Sequence, residues 1–376
     1  MLLKSNHNRI PNSIRVQGHC SVTMQRLPPL PSLQEIIRIY GLSAQKKLSQ
    51  NFLLDMNLTK KIVRSAGKLN DALVIEVGPG PGGITRPILN SNTKKVIVIE
   101  KDRRFLPSLQ ILAEASSQKL EVVHGDILST DLQQFVSPEF HSHWQDPPPN
   151  IHIIGNLPFS VSTPLIIQWL HHMSNKSSIW KFGRVPLTLT FQKEVAERIV
   201  APPKSEYRCR LSVMSQYLCD AQLKFSIQGK AFVPPPKVDV GVVHFVPKVQ
   251  PLIQQNFTLV EKVNRHLFQM PNKYYPKPLS TLFPLDREDL VSDMVEKSGI
   301  NVELRAFELT IEDIGNLCNV YAEIVKKEPD IFTYDFRSKK SAKERRKRGT
   351  LIESLEEKLL SNYYVESDSE NVDVAR

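Results

Sequence analysis

The feature that most limits what this chain can fold into is a glycine-rich loop set between two unlike patterns. Leu73-Val74-Ile75 is a run of apolar β-formers, and Glu76-Val77-Gly78-Pro79-Gly80-Pro81-Gly82-Gly83 follows it. A helical stretch then opens at Ile84-Thr85-Arg86. Strand, glycine turn and helix in that order begin a βαβ unit of a parallel sheet, and glycines there let the backbone approach a ligand closely.

Gly78, Gly80 and Gly83 also satisfy the spacing G-x-G-x-x-G, so the glycines alone do not separate a dehydrogenase from a methyltransferase. Two details narrow the choice. Pro79 and Pro81 withdraw backbone N–H donors, which weakens a pyrophosphate cradle. Glu76 sets a carboxylate just before the first glycine, where it can face a cationic ligand.

Three further strand ends follow. Val96-Ile97-Val98-Ile99 closes on Glu100-Lys101-Asp102. Glu100, about 20 residues past the loop, can accept both hydroxyls of a ribose. Lys101 is grouped with it at the strand end, and Asp102 is read as the cap of the next helix. Leu120-Glu121-Val122-Val123-His124 closes on Gly125-Asp126-Ile127. There Asp126 can accept from an adenine amine and Ile127 can pack on the ring, while His124 reads as a strand residue rather than a catalyst. Ile151-His152-Ile153-Ile154-Gly155 leads into Asn156-Leu157-Pro158-Phe159. An Asn side-chain oxygen beside a rigid backbone carbonyl can accept both N–H bonds of an exocyclic amine, and Phe159 can stack on the ring that carries it. Taken alone, this tetrapeptide reads first as an ordinary turn. Four polar strand ends in succession are more specific, because ligands of open α/β sheets bind outside the carboxyl ends of the strands.

With Gln50-Asn51-Phe52-Leu53-Leu54-Asp55 upstream and Ala231-Phe232-Val233-Pro234-Pro235-Pro236-Lys237-Val238-Asp239 downstream, these motifs closely resemble those of the rRNA adenine dimethyltransferases. The resemblance spans residues 27–330, in family order, and is strongest to the mitochondrial branch through Leu27-Pro28-Pro29-Leu30-Pro31 and the run from His152 to Leu165. It implies an α/β fold: a Rossmann-like S-adenosylmethionine-dependent methyltransferase domain followed by a small all-helical domain. It also implies that Gln50, Asn51 and Leu53 close over the cofactor, that Gly78 faces its amino-acid end, Glu100 its ribose and Asp126 its adenine. Asn156 and the Leu157 carbonyl would bind the target amine, with Phe159 and Phe232 sandwiching a flipped adenine. Phe232 is equally readable as a core residue beside a proline turn.

Composition agrees with a globular nucleic-acid enzyme of a reducing interior. A hydrophobic content of 41% is globular, and no run approaches the ~18 apolar residues of a spanning helix, so no membrane insertion is expected. A net charge of +10 favours a polyanionic partner. Cys20, Cys209, Cys219 and Cys318 are scattered with no C-x-x-C pair, so neither a metal site nor a disulfide framework is expected. The first 34 residues carry Lys4, Arg9, Arg15 and Arg26 and no acid, the pattern of a mitochondrial transit peptide or of a basic tail.

The expected organisation is a transit peptide over 1–27, a catalytic domain over 28–247, a helical RNA-binding domain over 257–335 and a charged tail over 336–376. Thr163-Pro164 is expected to start a helix as N-cap and first-turn proline. Pro186 to Phe191 reads as a strand, Gln192 to Arg198 as a solvated helix, and Ala221 to Ile227 with Val238 to Val246 as an antiparallel pair. Pro247 to Asn256 reads as a linker and Phe257 to Lys327 as helices. Family members carry an Arg-Arg-Lys cluster after a Phe-Gln pair; here Phe268-Gln269-Met270-Pro271-Asn272-Lys273 has a proline where the helix would run. The tail holds eight basic residues between Arg337 and Arg348, expected to form a mostly solvated helix, followed by an acidic stretch after Glu353 expected to be disordered. The expected partner is mitochondrial small-subunit rRNA in an assembling ribosomal subunit, within the mitochondrial matrix. The alternative is a non-catalytic transcription factor contacting mitochondrial RNA polymerase and DNA.

Overall fold

A computed structural model describes residues 27–42 and 51–338. The expected transit peptide, Gln50, Cys20 and the charged tail from Lys339 onward lie outside the described residues.

Among the described residues nine strands are numbered: β1 Phe52–Leu53, β2 Leu73–Val77, β3 Lys95–Glu100, β4 Leu120–His124, β5 Ile151–Gly155, β6 Leu187–Gln192, β7 Cys219–Ile227, β8 Phe232–Val233 and β9 Val240–Pro247. Seven form one sheet in the order β4-β3-β2-β5-β6-β9-β7. The pairs from β4 to β6 are parallel and β9 runs antiparallel to both β6 and β7. The chain builds outward from β2 through β3 to β4, then returns to place β5 on the other side of β2. That reversal between β2 and β5 is the switch point at which open α/β sheets bind ligands.

The near-continuous apolar runs are explained by burial on both sheet faces. Leu73, Ile75 and Val77 point to one side with Ile97, Ile99, Ile151 and Ile153, against Leu165, Ile166 and Trp169 of helix Phe159–Ser174. Val74, Val96, Val98 and Ile154 point to the other, against Ile62, Ile88 and Leu109 of helices Met56–Ser65, Thr85–Leu89 and Leu106–Ala115. The first of these cores continues without a break into the C-terminal helices through Val260, Leu267, Leu317 and Tyr321.

Helices Phe257–Leu267, Glu288–Ser298 and Ile311–Lys327 dominate that C-terminal region. Asn264 Nδ2 donates to the Arg210 carbonyl at 2.9 Å, fastening the first of them to helix Arg210–Leu218 beside the sheet. Residues 248–256 are irregular but tethered: Trp144 Nε1 donates to the Val249 carbonyl at 3.0 Å, and Leu252 N to the Tyr217 carbonyl at 2.8 Å. The helix ends at Leu267 and Pro271 falls in the turn beyond it. Buried Lys262 donates to the carbonyls of Phe332 and Tyr334 at 2.6 and 3.1 Å, capping the short helix Asp330–Thr333 that leads to the tail.

One helix boundary corrects the sequence reading. The helix expected to begin at Thr163-Pro164 begins at Phe159, with Pro158 in the N-cap position and its carbonyl accepting from Val161 N and Ser162 N. Pro164 lies inside the helix, still within its first turns, where the absent N–H costs one intrahelical bond without ending the helix.

Candidate active site

Register assembles the site. Val77 pairs with Ile99 on one side and Gly155 on the other, so the three strands reach their carboxyl ends in one row. The next residues along, Gly78, Glu100 and Asn156, therefore converge on one cleft. The cleft is partly open to solvent, and its outline encloses about 710 Å³ of space, that open solvent included. Asn51, Leu53, Glu76, Leu157, Phe159 and Phe232 also line it.

The roof is a two-stranded ribbon that no local pattern announces. β1 and β8 pair antiparallel, Phe52 with Val233 and Leu53 with Phe232. Two motifs about 180 residues apart in the chain are thus one structure. Asp55 ends the first motif by capping helix Met56–Ser65, accepting from Asn57 N and Leu58 N at 2.7 and 3.2 Å. Gly83 makes the closest approach to the ribbon: a Cβ there would stand 2.8 Å from the Leu53 carbonyl. Gly83→Ala must therefore displace the ribbon, and a loss of about 1–3 kcal/mol is expected in thermal or denaturant unfolding. An unchanged midpoint would show that the ribbon moves freely.

Gly78 adopts φ +65°, the left-handed turn that carries the chain from strand to loop. Glu100 is almost buried; its Oε2 accepts from Gly80 N at 3.0 Å and its Oε1 from Asp102 N at 2.8 Å. Burial raises its pKa and those two N–H bonds oppose the rise. Asp102 caps the turn Arg103–Phe105 through Arg104 N, the role read from sequence.

Glu76 is the most unusual group. It is 1% exposed and its Oε2 has no hydrogen-bonding partner. Burial pushes its pKa up to about 8, with the Thr85 hydroxyl pulling it down and the Glu100 carboxylate pushing it further up. Thr85 Oγ1 is itself unpartnered, so its pull is that of a nearby dipole rather than a formed bond.

Asn156 is held from both ends. Its Nδ2 donates to the Asn51 carbonyl at 3.3 Å, and its Oδ1 accepts from Thr190 Oγ1 at 2.8 Å. Phe159 is half-buried at the mouth, whereas Phe232 is 2% exposed and packs into the core while lining the cleft. Phe52 and Phe105 meet edge to face, centroids 5.3 Å apart, in the same wall.

Lys101, Asp126 and Ile127 stand apart from this lining. Lys101 Nζ pairs with Asp126 Oδ2 at 2.7 Å, which holds the Asp126 carboxyl below its usual range. Ile127 is buried in the sheet core. His124 ends β4 with its ring Nε2 3.2 Å from the Lys101 carbonyl. Thr190 and the raised pKa of Glu76 are the features that reading the sequence missed. The alternation Leu187-Thr188-Leu189-Thr190-Phe191 was the available signal, since a strand that places threonine on a buried face must give each hydroxyl a partner.

Among the described residues, no group of three or more His, Cys, Asp or Glu could hold a metal ion, and no helix is long and apolar enough to cross a membrane. Residues 41–323 match the family described as ribosomal RNA adenine dimethylase. The chain is 53% identical over 313 residues to a Macaca fascicularis protein named dimethyladenosine transferase 1, mitochondrial, covering 83% of this chain and 91% of that one. Identity to the Homo sapiens protein of that name is 50% over 339 residues, covering 90% and 96%. For the Caenorhabditis elegans protein it is 45% over 321 residues, covering 84% and 87%. A crystal structure of a Plasmodium falciparum dimethyladenosine transferase aligns with a TM-score of 0.55 at 23% identity, covering 72% and 96%, a likeness of fold. A family match across sheet and helices, joined to half-identical relatives along most of the chain, places this protein in the rRNA adenine dimethyltransferase family, in its mitochondrial branch, as an S-adenosylmethionine-dependent enzyme.

Proposed function

We propose that the protein dimethylates the exocyclic amines of two adjacent adenosines in a hairpin loop near the 3′ end of mitochondrial small-subunit rRNA, in the matrix, while that subunit assembles. The orientation of the Asn156 carboxamide carries this reading. With Nδ2 turned to the Asn51 carbonyl, Oδ1 is the atom left to accept from an amine, beside the Leu157 backbone. The mitochondrial names of the half-identical relatives support the compartment.

The residues fit the cofactor. A buried carboxyl oxygen without a partner, on Glu76, suits the amino group of S-adenosylmethionine once the carboxyl has given up its proton, and Gly78 leaves room for its amino-acid end. Glu100 would take the ribose hydroxyls, with Asn51 and Leu53 closing above. Asp126 would take the adenine amine once Lys101 releases it, whereas Ile127, buried in the sheet core, is not placed to pack on the ring. When bound, the cofactor supplies an electrophilic methyl group on a sulfonium. The chain's own part is positioning. Asn156 Oδ1 and the Leu157 carbonyl accept the two N–H bonds of the target amine and turn its lone pair out of the purine ring. The alkylated nitrogen is acidic, so its proton passes to water without a strong base.

Single-stranded loops offer bases that can be splayed into such a cleft, and Phe159 is the stacking platform at its mouth. Phe159→Ala is expected to raise the KM for RNA about 10- to 100-fold, with cofactor affinity unchanged in calorimetry. The reading itself is tested with a hairpin of the mitochondrial small-subunit rRNA and its twin carrying guanosines at the paired adenosine positions. Methyl transfer to the first and none to the second is expected. Equal transfer to both would overturn the adenine assignment, and no transfer together with retention of mitochondrial RNA polymerase would overturn the enzyme reading in favour of the binding-protein alternative.

A further inference from the structure

Gly155 of β5 pairs with Leu189 of β6, so the residues that follow lie side by side, Asn156 lining the cleft and Thr190 buried next to it. Thr190 is fully buried on a strand whose other face is built from Leu187, Leu189 and Phe191. A β-branched apolar residue would fill the same space, but a buried hydroxyl must find a partner. It finds one in Asn156 Oδ1, at 2.8 Å.

The direction of the Asn156 amide follows from chemistry rather than from choice. The Asn51 carbonyl only accepts, so the group facing it must be the NH₂ end. A reversed carboxamide would set oxygen against oxygen there. Oδ1 then faces Thr190, whose hydroxyl engages one of its two lone pairs and leaves the other for the amine.

We propose that Thr190 is a positioning residue that locks the Asn156 carboxamide, and that its hydroxyl matters most for the second methyl transfer to each adenosine. This deepens the reading of Asn156 as the amine acceptor and rests on it. In each transfer the amine lone pair forms the new nitrogen–carbon bond, the sulfur–methyl bond breaks with its electrons kept by sulfur, and one amine proton leaves to water. An unmodified amine offers two N–H bonds, one to Oδ1 and one to the Leu157 carbonyl. The monomethylated amine offers one. Its nitrogen is then oriented by a single hydrogen bond, so any rotation of the acceptor is transmitted directly to the lone pair. A carboxamide anchored only through the 3.3 Å bond to Asn51 has that freedom.

The test uses the full-length protein with Thr190→Val, which keeps the shape and removes the hydroxyl, and Thr190→Ser, which keeps the hydroxyl. Products are resolved as monomethyl- and dimethyladenosine by mass spectrometry, with cofactor affinity and thermal unfolding measured on the same preparations. For Thr190→Val the expected result is a kcat about tenfold lower, the worth of one hydrogen bond, with little change in KM for either substrate. Monomethyladenosine accumulates where the native chain yields dimethyladenosine, and Thr190→Ser restores the native product. A native product ratio in Thr190→Val would overturn the proposal. So would equal impairment of the valine and serine variants, which would assign the effect to packing of the methyl group. Asn156→Ala run in parallel separates the two readings. Activity surviving in Asn156→Ala defeats the acceptor assignment itself, whereas loss in Asn156→Ala with native behaviour in Thr190→Val defeats the positioning role alone.

Discussion

Asn156→Ala is expected to lower methyl transfer by about 10²–10³-fold or more while cofactor affinity stays within about tenfold. The asymmetry follows from where the side chain acts. Its Oδ1 is a preorganised acceptor whose value is realised as the amine lone pair turns toward the methyl group, so its loss falls on the chemical step. Its Nδ2 also ties the Asn51 carbonyl of the roof, and that single 3.3 Å bond accounts for the smaller cost to cofactor binding. Single-turnover rates and calorimetric titration of one preparation separate the two. Loss of both in equal measure would mean that Asn156 holds the roof or the cofactor instead of the amine.

Glu76→Gln should divide stability from binding. The Glu76 carboxyl has an ordinary pKa of 4.5 and about 8 in the folded chain. Between those values the native state holds a proton that the unfolded chain has released. Its contribution to stability is thus complete below pH 4.5, falls as pH rises through the window, and levels off above about 8. Glutamine is neutral throughout and removes that slope. At pH 8 the ligand-free variant is expected to be more stable than the native chain, on the order of 4 kcal/mol, and the two should converge near pH 4.5. Cofactor affinity should move the other way, weaker by about 10- to 100-fold, as for a lost charge-assisted hydrogen bond. Cofactor binding to the native chain near pH 7 should also release a proton, visible as a dependence of the calorimetric heat on buffer. A variant less stable than native at pH 8 would mean that Glu76 is ionised and paired in the free protein.

Most of the sheet was legible because its central parallel strands are buried on both faces. Val96 to Ile99 and Ile151 to Gly155 have no polar alternation to blur them, and each ends on a polar residue at the cleft. The glycine loop was legible for the same reason, since no other local structure explains so many glycines after an apolar strand. What escaped lies in contacts set by register or by long-range pairing. The ribbon of Phe52–Leu53 with Phe232–Val233 is too short to show any period. The helix start at Phe159 was obscured by Pro164, which serves in many helices as a first-turn residue and here sits further in. Thr190 could be placed on a strand, but its partner follows only from the pairing of Gly155 with Leu189. The elevated pKa of Glu76 needs the depth of its burial, which a sequence does not give. The continuity of the sheet core into the C-terminal helices was equally hidden, because helical periodicity shows that a face is apolar and not what it meets.

The most direct test of the central claim is nucleoside mass spectrometry of the small-subunit rRNA hairpin after incubation with methyl-labelled S-adenosylmethionine and the full-length chain, native or Asn156→Ala. Label recovered as dimethyladenosine at both adjacent positions with the native chain, and none with the variant, is the predicted result. Label on another base, on the ribose, or undiminished in Asn156→Ala would contradict the assignment of the cleft as an adenine-amine site.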